Sequence, residues 1–334
     1  MSRHRDVDAV GTRRRLPPRR LGVLLGALAA ATALAGCGGG GTAGRTVTVA
    51  IPPVVSGVDV YVAQEQGFFA RHRLDVSVKV LNGGAAIVPA MEGGAVDIGE
   101  TNVVSVIQSA AHGIAEPCFT GANTDPPNGA YLSLVGGKDS KITDPAALRG
   151  RTVAVNATNG VNQLLVQAYL DQHGVDPASV RFLSLQYPDM PQALSSGRVA
   201  AAVTSEPFTT ISLGQGNQLL VGTPLAAVPG APTYSCWNAS AKWLTAHRAE
   251  AADFAAAMTE ADSWITAHPA EFRAVAARHL TIPADVLTRM TLPVFTAELS
   301  GADIDAWQAA ALRYRLIDHP PVRSDVFAQI GGGR

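Results

Sequence analysis

The chain is poor in cysteine, in aromatic residues and in charge. Its 334 residues include only 3 Cys, 6% Phe, Trp and Tyr, and 16% charged residues. Three Cys cannot build a disulfide scaffold. Lys and Arg number 26 against 27 Asp and Glu, a net charge of -1, so no basic face marks a nucleic-acid partner. The eight His (4, 72, 112, 173, 247, 268, 279 and 319) are dispersed, and none forms a metal-ligand spacing with Cys or acids. No G-x-S-x-G elbow and no phosphate-binding loop is found, so neither an enzyme nor a cofactor protein is indicated, and no catalytic residue is assigned. What is abundant is apolar residues, 47% of the chain, without long polar tracts. That composition excludes disorder, and the length accommodates two domains, each large enough to bury a core.

Charge is unevenly placed. Residues 1–36 hold seven Arg and two Asp, and without them the remaining 298 residues carry 19 basic and 25 acidic side chains, a net charge of -6. Arg13-Arg14-Arg15 and Arg19-Arg20 precede an uncharged run over 21–36. As a helix that run spans about 24 Å, short of the roughly 30 Å of a bilayer core. It reads as a signal peptide over 1–36. Gly22, two residues after Arg20, stands where a twin-arginine signal calls for a large apolar residue, so general secretion is expected. Leu34-Ala35-Gly36-Cys37 resembles a bacterial lipobox, which implies an N-terminal lipidated Cys37 on a Gly-rich tether over 37–44. The expected location is the outer face of the cell membrane. In that oxidising setting Cys118 and Cys236 make a candidate disulfide.

From residue 45 strand and helix patterns alternate. Strands are predicted over 45–51, 74–81 and 96–99, with helices over 58–72, 85–93 and 103–113 between and after them. A second series places strands over 151–156, 180–185 and 199–204 with helices over 160–173 and 190–197, then a helix over 206–214 and a strand over 218–221. Strands are also expected over 117–124 and 233–239, and a helical tail covers 244–268, 269–279 and 304–315. Such alternation implies parallel sheets covered by helices. The expected layout is domain I over 45–136, domain II over 137–232, and a return to domain I over 233–334, with crossovers near Gly136-Gly137 and 228–233.

Four stretches carry a family resemblance. Asp59-Val60-Tyr61-Val62-Ala63-Gln64-Glu65-Gln66-Gly67-Phe68-Phe69 is similar to an opening helix, and Glu92-Gly93-Gly94-Ala95-Val96-Asp97-Ile98-Gly99 to a recurrent Gly-x-x-Asp-hydrophobic-Gly segment. Leu148-Arg149-Gly150-Arg151-Thr152-Val153 and Gly197-Arg198-Val199-Ala200-Ala201-Ala202-Val203-Thr204-Ser205-Glu206-Pro207-Phe208 open and close a second unit, with Ala200 replacing the usual Asp. Together they resemble the nitrate/sulfonate/taurine-type substrate-binding proteins of ABC importers, whose fold is shared by binding proteins for thiamine-pyrimidine precursors. The resemblance implies an α/β, two-domain periplasmic-binding-protein-like fold (type II), with mainly parallel sheets and a ligand cleft between domains. It also implies a monomer that serves a permease and its ATPase. A pyrimidine synthase shares the resemblance but uses a Cys-rich stretch, which three Cys cannot supply. A lipid-anchored sensor is the remaining non-transport alternative.

The motifs also have plain structural readings. Gly67-Phe68-Phe69 suits a helix end pinned by core aromatics, Asp97 a backbone cap, and Glu206-Pro207 a helix start. In open α/β sheets, ligands sit outside the carboxyl ends of strands. The loops expected there contain no Lys or Arg. An anionic group would therefore depend on backbone N–H groups at helix starts, with help from Ser and Asn side chains; Ser56-Gly57, Gly83-Gly84 and Thr158-Asn159-Gly160 suit that role, and Asn82, Thr101 and Asn102 are further ligand-binding candidates. Glu100, Asp189 and Glu206 could meet an amine, and Tyr187 or Phe119 an aromatic ring. One anion site and one acid fit a zwitterion such as taurine. An aminopyrimidine is the alternative, and nitrate leaves the acids unexplained.

Overall fold

The structure, a computed structural model, describes residues 45–127, 129–230 and 232–330. The signal peptide, Cys37 and the tether expected over 1–44 lie outside the described residues. Eleven strands are found among those described: β1 (Arg45–Ile51), β2 (Leu74–Val80), β3 (Ile98–Asn102), β4 (Cys118–Thr124), β5 (Leu132–Gly136), β6 (Thr152–Val155), β7 (Arg181–Ser184), β8 (Ala201–Ser205), β9 (Gln218–Val221), β10 (Ser235–Asn238) and β11 (Val294–Phe295). They form a six-stranded sheet in the order β11-β4-β10-β3-β1-β2 and a five-stranded sheet in the order β7-β6-β8-β5-β9. Each sheet is the centre of a lobe.

In both lobes the parallel part is the βαβ part. β2, β1 and β3 are parallel neighbours, as are β7, β6 and β8. The short period-2 strand Arg45–Ile51 and the helix Asp59–Glu65 that follows it make the first such unit. Gly67, at φ 72°, turns that helix into Phe68–Arg71, and Phe68 and Phe69 enter the core. Asp97 Oδ2 accepts from Thr48 N at 2.8 Å, so this acid ties the approach to β3 to β1.

The antiparallel strands come from the crossings. β5 pairs with β8 and β9, and β10 pairs with β3 and β4, each running against its neighbours. The chain therefore passes from the first sheet to the second over 125–131 and returns over 222–234. The first crossing precedes the boundary expected at 136/137. Leu132–Gly136 is buried at every position, Ser133 included, and is too short and too mixed to announce itself as a strand. It belongs to the second lobe.

The tail caps the first lobe. Phe254 on Arg248–Ala267 packs against Trp237 of β10 with ring centroids 5.1 Å apart, and against Phe69 at 5.5 Å. Trp307 on Gly301–Arg313 donates to Thr233 O at 2.8 Å, which fixes the return crossing. A capping box at Ser300 and Asp303 starts that helix. Cys118 and Cys236 are joined by a disulfide between neighbouring strands β4 and β10.

Candidate functional site

The carboxyl ends of β1, β2 and β3 face those of β6, β7 and β8 across the gap between lobes. Two connected hollows lie there, sharing Gly84, Asn102 and Asn156 on their walls. The outer one holds about 400 Å³ and is bounded by Gly84–Pro89 residues, Ser105, Gln108 and the loop from Asn156 to Val161. The inner one encloses about 40 Å³ among Ser56, Glu100, Tyr131, Tyr187, Ser205, Tyr234 and Ser235. No Lys or Arg lines either hollow.

Local sequence explains the outer hollow. Gly83, at φ 70°, adopts a conformation that favours glycine, and Gly84 begins the helix Gly84–Glu92. A Cβ on Gly84 would collide with the Ser105 side chain, so glycine permits two helix ends to meet at the cleft. The starts of Gly84–Glu92 and of Val161–Gln172 carry no side-chain cap, which leaves backbone N–H groups at the wall. The helix Val103–Ala111 differs, because Asn102 Oδ1 accepts from Ser105 N at 2.9 Å. Gln108 Nε2 reaches across to Asn159 O at 2.8 Å and ties the lobes at the rim.

The inner hollow is built around a carboxyl. Glu100 on β3 is only 2% exposed. Its Oε1 accepts from Asn123 Nδ2 at 2.8 Å and Ser235 Oγ at 3.3 Å, while Oε2 has no hydrogen-bond partner. Burial pushes this carboxyl up to about 7, against the opposing pull of Ser56, Asn123 and Ser235. Asp59, fully buried nearby, is held well above the usual carboxylate range by burial and then by the neighbouring Glu100 and Asp262 carboxyls. Across the gap, Asn162 donates to Asn156 Oδ1 and to Tyr187 Oη, both at 2.9 Å, and accepts from Tyr234 Oη at 3.2 Å. Tyr131 and Tyr234 sit on the two crossings, each immediately before a strand.

Several residues expected at the site meet here: Ser56, Gly83, Gly84, Glu100, Thr101, Asn102 and Tyr187 around the inner hollow, and Thr158, Asn159 and Gly160 around the outer one. Four others do not line either hollow. Gly57 is packed under Ile51, Asn82 and Asp189 are exposed, and Glu206 is turned away. The Glu206 carboxylate accepts from Thr210 N at 3.1 Å, Thr210 Oγ1 at 2.7 Å and Thr291 N at 3.1 Å, while its backbone O accepts from Val55 N at 3.1 Å. It is a structural tie between Val55, Thr210 and Thr291. Phe119 is likewise in the core, edge-on to Phe254. Sequence reading missed Tyr131, Tyr234 and Ser235, which only the pairing of distant strands brings together. Among the described residues no group of His, Cys, Asp and Glu could hold a metal ion.

A family model described as NMT1/THI5 like matches residues 57–272, well over half the chain. The protein belongs to the NMT1/THI5-like family. Within that frame, the putative binding protein YtlA of Bacillus subtilis (strain 168) is 24% identical over 204 residues. The match spans 60% of each protein, so it covers three-fifths of that relative's length. The fold of this NMT1/THI5-like chain is also that of solved binding proteins. The alkanesulfonate-binding protein SsuA from Xanthomonas axonopodis pv. citri, bound to MOPS, superposes with a TM-score of 0.69 at 20% identity, covering 84% of this chain and 95% of that one. The aliphatic sulphonate binding protein SsuA from Escherichia coli gives 0.69 at 19%, covering 85% and 97%. The nitrate-binding protein NrtA from Synechocystis PCC 6803 gives 0.69 at 14%, covering 82% of each. The two-sheet architecture of this NMT1/THI5-like protein is thus a periplasmic-binding-protein fold.

Proposed function

We propose that this protein is the extracytoplasmic solute-binding component of an ABC importer. It is anchored outside the cell membrane through a lipidated Cys37, and as a monomer it captures a small sulfonate or taurine-like solute for a permease and its ATPase. The observation that carries this reading is the two-lobed cleft, polar at its floor, reached by uncapped helix starts and lined without Lys or Arg. A site without cationic side chains holds an anionic group through backbone dipoles, and it favours solutes that bring their own positive charge. The family's named neighbours bind sulfonates or nitrate, which supports a small solute of this kind.

A second reading, an aminopyrimidine of the thiamine-precursor type, is favoured by one observation. Tyr131, Tyr187 and Tyr234 give the cleft three aromatic rings next to an acid. A thermal-shift screen of the protein lacking residues 1–36, over taurine, alkanesulfonates, nitrate and aminopyrimidines, separates the two. At 100 times its Kd a true solute adds about 2.7 kcal/mol of stability. If no member of the panel raises the melting temperature, the receptor reading for these solutes falls.

A further inference from the structure

The inner hollow has features that a general solute receptor does not require. Glu100 is nine-tenths buried and more, yet one carboxyl oxygen lacks any partner. A buried acceptor of this kind is costly when left unpaired. The remaining wall is uncharged, and three of its residues are tyrosines: Tyr131 is 2% exposed and Tyr187 9%, and Tyr234 completes the set beside hydroxyl and amide groups such as Ser56, Ser205 and Asn156. The Tyr187 hydroxyl accepts from Asn162 and the Tyr234 hydroxyl donates to it, so the network occupies these groups and leaves the rings as lining. The hollow's 40 Å³ is close to the roughly 30 Å³ share of one water. It suits a small head group.

We propose that the inner hollow recognises an organic ammonium, with Glu100 Oε2 accepting from the solute's protonated amine and the rings of Tyr131, Tyr187 and Tyr234 surrounding it. Aromatic faces attract cations through their negative quadrupole, and a desolvated site strengthens that attraction. The solute's other end then lies in the outer hollow at the uncapped starts of Gly84–Glu92 and Val161–Gln172. This rests on the receptor reading and deepens it. It fixes the orientation, amine inward, and makes a primary amine the feature on which solutes are selected, whether or not they bear a sulfonate.

The electrostatic surroundings agree. The titratable groups around Glu100 are the Asp59 carboxyl, itself near Asp262, and the hydroxyls of Tyr131, Tyr187 and Tyr234, with Asp125 behind Tyr234 and no Lys or Arg among the lining residues. Two buried acids make the hollow more negative on ionisation. With its carboxyl raised to about 7, empty Glu100 carries a proton in part of the population at neutral pH. An ammonium arriving at Oε2 displaces that proton to solvent.

Four two-carbon probes test the idea: taurine, 2-hydroxyethanesulfonate, ethanolamine and ethylene glycol. They permute an ammonium or a hydroxyl at one end with a sulfonate or a hydroxyl at the other. Calorimetry on the wild-type protein should show each ammonium probe binding at least tenfold tighter than its hydroxyl counterpart. Titration of taurine in two buffers of different ionisation heat should show net proton release. Glu100→Gln should abolish the ammonium preference and the proton release while sulfonate binding persists. Equal affinity of taurine and 2-hydroxyethanesulfonate for the wild type overturns the inference and leaves the receptor reading intact, and this comparison does not depend on the variant folding. An ammonium preference that survives in Glu100→Gln also overturns it. If none of the four binds, while an aminopyrimidine does, the ammonium assignment falls alone. If nothing binds, the receptor reading falls with it.

Discussion

Tyr234, on the return crossing, donates from its hydroxyl to Asn162 Oδ1 in the second lobe at 3.2 Å. Asn162 is fully buried and spends its amide on Tyr187 and Asn156, so one side chain gathers three others at the junction of the lobes. Tyr234→Phe removes one bond of this set. The expected result is a loss of about 1 kcal/mol in unfolding free energy. Solution scattering should also show a smaller ligand-induced compaction than in the wild type. An identical scattering change in both proteins would show that the bond does not report on closure.

Asn162→Ala goes further, because it strands the Tyr187 and Tyr234 hydroxyls together. Leaving buried polar groups unpaired costs about 1–3 kcal/mol for each. Urea unfolding should place the variant at least about 2 kcal/mol below the wild type, and solute affinity should fall with it.

The buried acids give a signed pH dependence. The carboxyls of Glu100, Asp125 and Asp262 are each raised to about 7 and that of Glu116 to about 8, all chiefly by burial. For such groups the unfolded chain binds fewer protons than the folded one above the ordinary carboxylate range. Their protonated forms stabilise the fold fully below about pH 4, and that contribution is lost as pH rises from about 4 through 7 to 8. Unfolding midpoints of the solute-free protein should therefore fall across this window. Glu100→Gln should gain on the order of 1–3 kcal/mol at pH 8 relative to wild type and far less at pH 5. A difference independent of pH would contradict the assignment.

Glu206 tests structure against binding. Its carboxylate receives three hydrogen bonds, two from Thr210 and one from Thr291 of the first lobe. Glu206→Ala should cost about 2–4 kcal/mol, since it leaves several donors unpaired. Glu206→Gln should recover part of that loss. If instead Glu206→Gln abolished solute binding at unchanged melting temperature, the residue would be a ligand contact.

Gly84→Ala should press the helix Gly84–Glu92 away from Ser105. Forcing a methyl into such a contact costs about 1–3 kcal/mol. Solute affinity should drop at least tenfold, and Ser105→Gly should restore much of it in the double variant. No recovery would mean that the glycine serves backbone freedom alone.

Much of this molecule could be read in the sequence where the signal was local. The period-2 run of β1, the helix ending at Gly67, and the loops at Gly83-Gly84 and Asn159-Gly160 each lie within a few residues of the feature they produce. Asp97 was legible only as a backbone cap; that the N–H it meets is Thr48 on β1, far away in sequence, was not. Glu206 and Asp189 were harder. Both follow strands and both are acids, and sequence does not say that one turns toward Thr210 and Thr291 while the other faces solvent. β5 was hidden because five residues, Leu132 to Gly136, with Ser133 among them and Gly136 at the end, make too short a pattern to stand out. Tyr131 and Tyr234 stand 103 positions apart and meet only because both crossings end at the same place. An aromatic residue directly ahead of a crossing strand was the signal that could have found them.

That placement has a mechanical consequence. In a body that rotates about an axis, displacement grows with distance from the axis. Were the lobes to turn about the two crossings, Tyr131 and Tyr234, which sit on those segments, would move little, whereas Gln108 and Asn159 at the rim would move more. The floor of the cleft can keep its shape while the rim travels. Selectivity would then be set by groups that hardly move, and residence time by the ones that do.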